Sequence, residues 1–421
     1  MRTIRTTYLL CAALVLLPAA MSGCAGGPRS ELVVIPDSGE TPAAGVGGWP
    51  FQVEKIYRLP ATESSTSQPL GWSNRDTFVA LSANIRQRDE LIFNVQSFAP
   101  PYANSATLMR MDTDMSPDTL STDGRYLSGT SRTKNGVIVK LLSLPDGEER
   151  TVAELAAGEA RLISEAGAWS ANSRYLAYLL YGTAPQQQRL QAQADTGNGQ
   201  ILPAKPEEAS PSIRVLICDA LNGTAAQYPL NGLDLAAGSM TVLPSNDASA
   251  LLIVYGGAVR MAERDGTGYE VKFSPPAEGE GIVSAAADWV NGDQFVYLDE
   301  DGTLYAYDRR NGETVILLEK IGRFRLSRDR KAIAYFASGQ NAVYAGKLQG
   351  NNILYGQSVY RGIVPEFMDW SPDGRRLLID GRKLYTQTGR IARPEPTAEP
   401  SEALIVAEIQ TDKQLLIVEF H

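Results

Sequence analysis

Histidine is almost absent from this chain: among its 421 residues the only one is His421. A Ser-His-Asp or Cys-His catalytic arrangement needs a histidine held in the core, and histidine is also the commonest metal ligand. The sequence has no Gly-x-Ser-x-Gly motif either, which carries the nucleophile of α/β-hydrolases. These absences exclude histidine-dependent hydrolysis, and we predict a protein that is not an enzyme and holds no cofactor or metal.

Long apolar runs are missing too, and the longest, Tyr8–Ala20, is short of the about 20 residues that span a bilayer. A positively charged start precedes this run, and Ser22 and Gly23 lead into Cys24, which is the layout of a secretory signal peptide. Residues 21–24 resemble the lipobox of bacterial lipoproteins. The resemblance implies that residues 1–23 are removed and that the Cys24 thiol receives a diacylglyceryl group. The alternative is an ordinary cleaved signal with an incidental cysteine.

A lipidated Cys24 predicts an exported protein, tethered on the extracytoplasmic side of a bacterial membrane. The sequence leaves open whether this is an inner membrane, an outer membrane or a Gram-positive cell surface. Residues 24–50 are rich in Gly, Pro and Ala, which predicts a flexible tether. The propeller domain predicted below occupies residues 51–421.

Cysteine is scarce in the predicted folded body, where Cys218 is the only one. It has no partner for an intramolecular disulfide and lies in the apolar run Ile213–Ala220, so we expect a buried, inert thiol. The chain carries a net charge of −9. Nucleic-acid affinity comes mainly from Lys and Arg contacts to phosphates, so an acidic body predicts no nucleic-acid partner.

Stretches of helical periodicity are missing as well; instead, one β-like element recurs. A Ser-centred polar turn follows an apolar or aromatic residue and precedes an apolar strand, most clearly in Met368–Ile379. Aligned on the Ser or its equivalent, the copies fall at residues 73, 121, 170, 245, 290, 327 and 371. Apart from the interval between 170 and 245, the spacing is about the 40–50 residues of propeller blades.

A second marker keeps the same period. Asn-Gly and Asp-Gly pairs accept the positive φ of two-residue hairpins, so such pairs between strand-like runs predict hairpin tips. The predicted tips are Asp146-Gly147, Asn222-Gly223, Asp265-Gly266, Asn311-Gly312 and Gly350-Asn351. We therefore predict an all-β fold, a β-propeller of four-stranded antiparallel sheets with seven blades; six or eight remain open.

At these turns the chain resembles the TolB-like, WD40-like propeller repeat, in which Trp-Ser-Pro-Asp-Gly-Arg precedes a strand. Residues 370–375 match that motif throughout, and the other copies lack the Pro. The resemblance implies a fold and says almost nothing about function. It marks the following residues as structural members of the turns: Trp72, Ser73, Asp123, Gly124, Trp169, Ser170, Trp370, Ser371, Pro372, Asp373 and Gly374.

Two irregularities interrupt the period. Ala184–Ser212 is rich in Gln, Pro and Glu, and we interpret it as a loop inserted between the second and third strands of its blade. Pro394–Pro400 interrupts the last blade. After it we predict two strands, Ala403–Ile409 and Gln414–Phe420, on either side of a turn at residues 411–413. Pairing of the early run Val53–Leu59 with the last blade would close the ring.

Two classes of function survive. The first is a non-catalytic binding or scaffold propeller that presents one face to a protein or other partner of the envelope; a sensory lipoprotein feeding a membrane signalling protein is a subtype of it. The second is a carboxylate-dependent carbohydrate-active enzyme, since paired carboxylates need no histidine. Asp299-Glu300-Asp301 is an acidic cluster, but acidic residues before Gly302 are also typical of a turn. Convergence of Asp and Glu side chains at one mouth of the central channel would favour the enzyme.

Overall fold

The computed structural model describes residues 50–59, 67–85, 91–111, 115–157, 160–164, 166–182, 212–233, 240–255, 257–275, 284–386 and 409–421. The predicted signal peptide, Cys24, the tether before Pro50, residues 184–211 of the predicted insertion and Pro394–Pro400 lie outside these ranges. Within them the regular structure is β-strand, apart from the 3-10 turn Ser338–Gln340. No helix in the described ranges is long and apolar enough to cross a membrane.

After β1 (Val53–Arg58), two four-stranded antiparallel sheets follow in chain order. The first sheet consists of β2 (Ser67–Trp72), β3 (Phe78–Ile85), β4 (Leu91–Phe98) and β5 (Ser105–Met111). The second consists of β6 (Met115–Leu120), β7 (Tyr126–Thr133), β8 (Gly136–Ser143) and β9 (Glu149–Ala156). Consecutive strands are neighbours in each sheet, so the connections are hairpins.

The next nine strands form one sheet. They are β10 (Ala160–Leu162), β11 (Ala168–Trp169), β12 (Tyr175–Gly182), β13 (Ser212–Asp219), β14 (Thr224–Asn231), β15 (Met240–Pro244), β16 (Ala250–Tyr255), β17 (Ala258–Asp265) and β18 (Gly268–Phe273). Two antiparallel halves, β10–β14 and β15–β18, meet where β14 and β18 pair in parallel. Ser212 is paired with Gly182 inside the sheet, so Ser212 belongs to β13 and not to the predicted insertion Ala184–Ser212.

Three further four-stranded sheets complete the fold. The strands are β19 (Ala286–Trp289), β20 (Gln294–Leu298), β21 (Leu304–Asp308) and β22 (Glu313–Leu318); then β23 (Ile321–Leu326), β24 (Ala332–Ala337), β25 (Ala342–Gln349) and β26 (Asn352–Arg361); and finally β27 (Ile363–Trp370), β28 (Arg376–Thr386) and β29 (Ile409–Phe420). The last three pair with β1 in the order β1-β29-β28-β27. The described chain is thus an all-β propeller.

The blade count differs from the prediction of seven separate sheets. Among the described residues there are five separate four-stranded antiparallel sheets, and β10–β18 form the nine-stranded one. The cause is a two-residue parallel contact, Leu230↔Tyr269 and Asn231↔Glu270, which links the outer strands of two otherwise independent antiparallel groups.

Ring closure uses the first and last strands. β1 pairs antiparallel with β29, with Ile56 opposite Val418, which confirms the expected role of the run Val53–Leu59. The turn predicted at residues 411–413 is wrong. These residues continue β29, with Asp412 opposite Lys383, because the long strand β28 supplies partners for their backbone groups. Residues 403–408 lie outside the described ranges.

The core lies between neighbouring sheets rather than at one centre. Trp72 and Phe78 of the first sheet pack against Leu378 and Ile417 of the closing sheet, and all four side chains are fully buried. Full burial of such a side chain contributes about 2–3 kcal/mol. Trp72, the aromatic residue before the first predicted turn, therefore packs between sheets, as expected, and the two sheets depend on each other for stability.

Candidate functional site

The recurrent turns, hereafter the repeat turns, join the first and second strands of each four-stranded group, for example β27 to β28. Five share one set of hydrogen bonds. At Ser371 the Oγ donates to Asp373 Oδ1 at 2.7 Å and accepts from the amide of Arg376 at 2.8 Å. The Gly374 amide donates to the Ser371 carbonyl at 2.9 Å. The turns at Ser121, Ser170, Ser245 and Ser327 repeat this pattern.

The fourth residue of each of these five turns has a positive φ. It is a glycine twice, Gly124 (φ 76°) and Gly374 (φ 70°). In the other turns Ser173, Ala248 and Arg330 hold φ values of 59°, 54° and 61°. A positive φ is uncommon in residues other than glycine and costs on the order of 1 kcal/mol, so the serine network must enforce this backbone.

Two repeat turns lack this network. In the turn after Ser73, the Asn74 Oδ1 accepts the amides of Asp76 and Thr77, each at 2.9 Å. In the turn after Val290, Asn291 Oδ1 accepts two amides in the same way. An Asn side chain mimics a backbone turn, which explains why the anchor position can hold Val290.

Tryptophans at these turns connect neighbouring sheets. The indole Nε1 of Trp72 donates to the Asp369 carbonyl at 3.1 Å, and that of Trp370 donates to the Arg325 carbonyl at 3.2 Å. Trp289 does the same to Leu243. Trp169 differs, because its buried Nε1 has no hydrogen-bond partner among the described residues. These indole bonds therefore tie the turn ends of the innermost strands together at three junctions, β2–β27, β27–β23 and β19–β15.

The innermost strands surround a cavity of about 260 Å³ at the repeat-turn end of the fold, which we call the channel mouth. It is lined by β2, β6, β11, β15, β19, β23 and β27 or the turns that follow them. A cavity bounded by all of these strands lies on the central channel of the propeller. The residues two positions before the seven anchors all line it: Gly71, Thr119, Ala168, Leu243, Asp288, Arg325 and Asp369.

Charge is confined to one side of the channel mouth. Asp288, Arg325 and Asp369 come from the three consecutive strands β19, β23 and β27, and the turn after β23 adds Arg328 and Arg330. The remaining strands contribute no charged side chain to the described lining. The lining therefore carries an excess of one positive charge in a chain whose net charge is −9.

Both aspartates are bound by arginines. Arg325 Nη2 and Nε lie 3.0 and 3.1 Å from Asp369 Oδ1, and Asp369 Oδ2 also accepts the Trp72 amide at 3.3 Å. Arg330 Nη1 lies 2.5 Å from Asp288 Oδ2. The carboxylates are buried, at 12 % exposure each, whereas the Arg325 side chain is 45 % exposed. The surface that a ligand would meet is therefore guanidinium and not carboxylate.

Arg328 crosses the mouth. It extends from the turn after β23, past the inner strand β27, and its Nη2 donates to the Trp72 carbonyl on β2. Burial lowers the pKa of Arg328; Asp369 and Asp123 raise it, and the like charge of Arg325 lowers it. The net direction is downward, because the nearby carboxylates do not fully compensate for burial and for the second arginine.

A half-buried carboxylate lies next to this lining. Asp118 precedes Thr119 on β6 and accepts a hydrogen bond from the Tyr178 hydroxyl of the next group of strands at 2.9 Å. Burial raises the pKa of Asp118 to about 6, although the bonds from Tyr178 and from the Gly167 backbone act in the opposite direction. Asp118 was not among the residues singled out by sequence analysis.

The residues considered for catalysis are scattered. His421 is exposed and its Nδ1 lies 3.7 Å from Glu54. Cys218 is buried, as expected, and burial raises the pKa of its thiol to about 12. Asp299 Oδ1 accepts the Thr303 amide at 2.7 Å inside the β20–β21 turn, as the turn interpretation requires. The described residues contain no group of three or more His, Cys, Asp or Glu side chains suited to a metal ion.

The predicted turn residues lie around the channel mouth, but only some of them line it. Trp72 and Trp169 contribute to the lining. Ser73, Asp123, Gly124, Ser170, Trp370, Ser371, Pro372, Asp373 and Gly374 build the turns outside it. Sequence reasoning missed Asp288, Arg325, Arg328, Arg330 and Asp369. The signal that could have found three of them is their fixed offset, two residues before an anchor.

No family model and no curated protein sequence matches this chain. Solved structures resemble it at low identity. Oligogalacturonate lyase in complex with manganese is 12 % identical, with a TM-score of 0.49, over 87 % of this chain and 90 % of that one. The C-terminal WD40 domain of Sif2 is 13 % identical, with a TM-score of 0.43, over 84 % and 97 %. The acylaminoacyl peptidase of Pyrococcus horikoshii is 12 % identical, with a TM-score of 0.45, over 79 % and 52 %.

Proposed function

We propose that this chain is a lipid-anchored, extracytoplasmic propeller that binds an envelope protein at its channel mouth and does not catalyse a reaction. The observation that carries this proposal is the arginine-lined cavity in which each aspartate is bound by an arginine. A general acid or base needs a carboxyl group that can exchange its proton with the substrate. Asp288 and Asp369 do converge at one mouth of the channel, which was the feature expected of the enzyme. Both carboxylates are buried and held by guanidinium groups, however, and are poorly suited to that task, so the carbohydrate-enzyme alternative is not favoured.

We further propose that the two halves of the nine-stranded sheet act as two blades, which gives a seven-bladed ring. Each half has its own repeat turn, at Ser170 and Ser245, and its own hairpin, at Gly223 and Gly266. Only two residue pairs join the halves. Seven inner strands around one cavity agree with this count.

Photo-crosslinking in intact membranes tests the binding face. A crosslinking amino acid at Thr122 lies on the wall of the channel mouth. The matched control position is Lys134, which is exposed in the β7–β8 hairpin at the other end of the strands. We expect a discrete protein adduct from Thr122 that Lys134 does not give. Equal adducts from both positions, or none from Thr122, would refute a partner at the mouth.

The anchor has its own test. Replacing Cys24 with Ala should release the protein from membranes or block its maturation, because two or more acyl chains supply stable anchoring. Fractionation combined with metabolic acyl labelling measures both outcomes. A Cys24→Ala protein that stays membrane-bound and acyl-labelled would contradict lipidation at this residue.

A further inference from the structure

Some guanidinium donors of the channel mouth have no hydrogen-bond partner among the residues that the structure describes. Arg325 uses Nε and Nη2 for Asp369, and Arg328 uses Nη2 for the Trp72 carbonyl. A guanidinium carries five N–H donors, so each of these arginines retains further donors. In Arg330 the buried Nε has no hydrogen-bond partner among the described residues. Donors gathered in a cavity with a positive excess define a site for an anion.

The anion that matches these donors is a carboxylate. The planar guanidinium fork binds carboxylate or phosphate in a bidentate manner, and two of its donors can act together. The described lining has a positive excess of one charge, which balances one carboxylate. A phosphate group, with about −1.5 to −2 charges, would be left partly uncompensated.

The rest of the wall indicates what carries that carboxylate. Other strands of the lining contribute Leu70, Ala168 and Leu243, which offer apolar contacts. Trp72 is fully buried and Trp169 nearly so, so neither offers an open ring face on which a sugar could stack. A cavity of about 260 Å³ is at the lower limit of ligand pockets, at about 300–1,000 Å³, and takes one or two side chains.

We propose that the channel mouth binds an acidic peptide tip, with a Glu or Asp carboxylate on Arg325 and Arg328 and an adjacent apolar side chain against Leu70 and Leu243. This inference rests on the proposed binding function and specifies its ligand. The excess of positive charge also attracts such a segment to a body that is acidic elsewhere.

Fluorescence anisotropy with the full-length protein in mild detergent tests the proposal. The probe is a fluorescein-labelled hexapeptide of alternating leucine and glutamate. The matched peptide has glutamine for glutamate, and digalacturonate serves as a competitor. We expect the glutamate peptide to bind at least tenfold more tightly than the glutamine peptide, and added NaCl to weaken its binding. Equal binding of both peptides would overturn the proposal, and binding of digalacturonate in preference to the peptide would replace it with an acidic carbohydrate.

Variants locate the site. Arg328→Gln should weaken binding of the glutamate peptide about tenfold or more, since hydrogen bonds to charged groups contribute about 1.5–3 kcal/mol. Arg328→Lys should recover part of the loss. Arg375→Gln is the control, because Arg375 is exposed on a repeat turn outside the lining. Unchanged affinity in Arg328→Gln would refute the site, and a thermal melt separates lost binding from lost folding.

Failure of this inference is distinguishable from failure of the proposed function. If Arg328→Gln still yields the Thr122 crosslinked partner with undiminished efficiency, the partner binds the mouth without a carboxylate. If Thr122 gives no adduct at all, the binding function itself fails.

Discussion

The repeat turns and the positions two residues before them are close neighbours, but they differ in sequence variation: the turns keep one pattern, and the preceding positions vary from blade to blade. The turns repeat one hydrogen-bond pattern at Ser121, Ser170, Ser245, Ser327 and Ser371. The preceding positions hold seven residues of six kinds, from Gly71 to Arg325. Because every blade needs the same turn, repetition there reflects folding. The turn does not constrain the residue two positions before it, so the side chain there can vary between blades and contribute to a binding site.

The two ends of the strands also differ, in the length of the connections between strands. The repeat-turn end has short connections such as β27–β28 and β8–β9. At the other end, the chain leaves β12 at Gly182 and returns at Ser212, and it leaves β28 at Thr386 and returns at Ile409. Changes at the two ends should therefore have different consequences for folding and for binding.

The largest effect on the free energy of unfolding should come from substitution of a repeat-turn glycine that also faces a neighbouring sheet. A Cβ at Gly124 would lie 2.3 Å from the Trp72 carbonyl oxygen, whereas a Cβ at Gly374 would meet nothing within 4 Å. Both have a positive φ. We expect Gly124→Ala to lower the free energy of unfolding by about 2–4 kcal/mol and Gly374→Ala by about 1 kcal/mol or less.

Urea denaturation of the two variants measures this difference. Ser173, Ala248 and Arg330 already hold the equivalent position with a side chain, which is why Gly374→Ala should be tolerated. Equal losses in both variants would mean that φ strain, and not the contact between turns, dominates. A helix-dominated circular dichroism spectrum of the wild type would contradict the fold itself.

The fold was accessible from the sequence because its signals are local and repeated. Turn serines, Asp-Gly and Asn-Gly pairs and strand runs each act within a few residues, and one misreading in one blade leaves the others intact. The turn predicted at residues 411–413 failed because its residues favour a turn locally, while β28 supplies a long-range pairing partner. The arginines of the mouth were missed for a related reason: Arg325 and Asp369 are 44 residues apart, and only ring closure brings them together.

An intermediate effect on the free energy of unfolding is expected at Asp118, which differs from Asp369 in that no arginine of the described residues pairs with it. Its folded pKa of about 6 is raised by burial from an ordinary value of 3.8. The folded state therefore binds the Asp118 proton more tightly than the unfolded state does. The stability that this proton contributes is present at low pH and is lost as pH rises from about 4 to about 6. Asp118→Asn should restore about 2 kcal/mol at pH 7 and change little at pH 3.5.

Urea titrations at these two pH values test the Asp118 prediction. Asp380 also has a pKa raised to about 6, mainly by burial, so part of the wild-type pH dependence should remain in the Asp118→Asn variant. A variant that is less stable than the wild type at pH 7 would show that the ionised carboxylate is needed for the bond from Tyr178.

A smaller difference in stability is expected between substitutions at Trp370 and at Trp169. Trp370→Phe removes the bond from Nε1 to the Arg325 carbonyl, whereas Trp169 makes no such bond with a described residue. Both substitutions lose similar packing area. We expect Trp370→Phe to cost about 1 kcal/mol more than Trp169→Phe in thermal or urea unfolding. Equal costs would mean that the bonds between sheets contribute nothing beyond packing.

The smallest effect is expected at the end of the strands away from the mouth. Gly182 and Ser212 are directly paired, so an Asn-Gly turn can replace residues 183–211 without separating β12 from β13. Shortening the connection reduces its closure entropy, and a tight turn can add strain, so the net change should be within about 1 kcal/mol. Crosslinking from Thr122 should be unchanged, because that position lies at the opposite end of the strands. Loss of folding would contradict the β12–β13 assignment, and loss of the Thr122 adduct would mean that the partner also contacts residues 183–211.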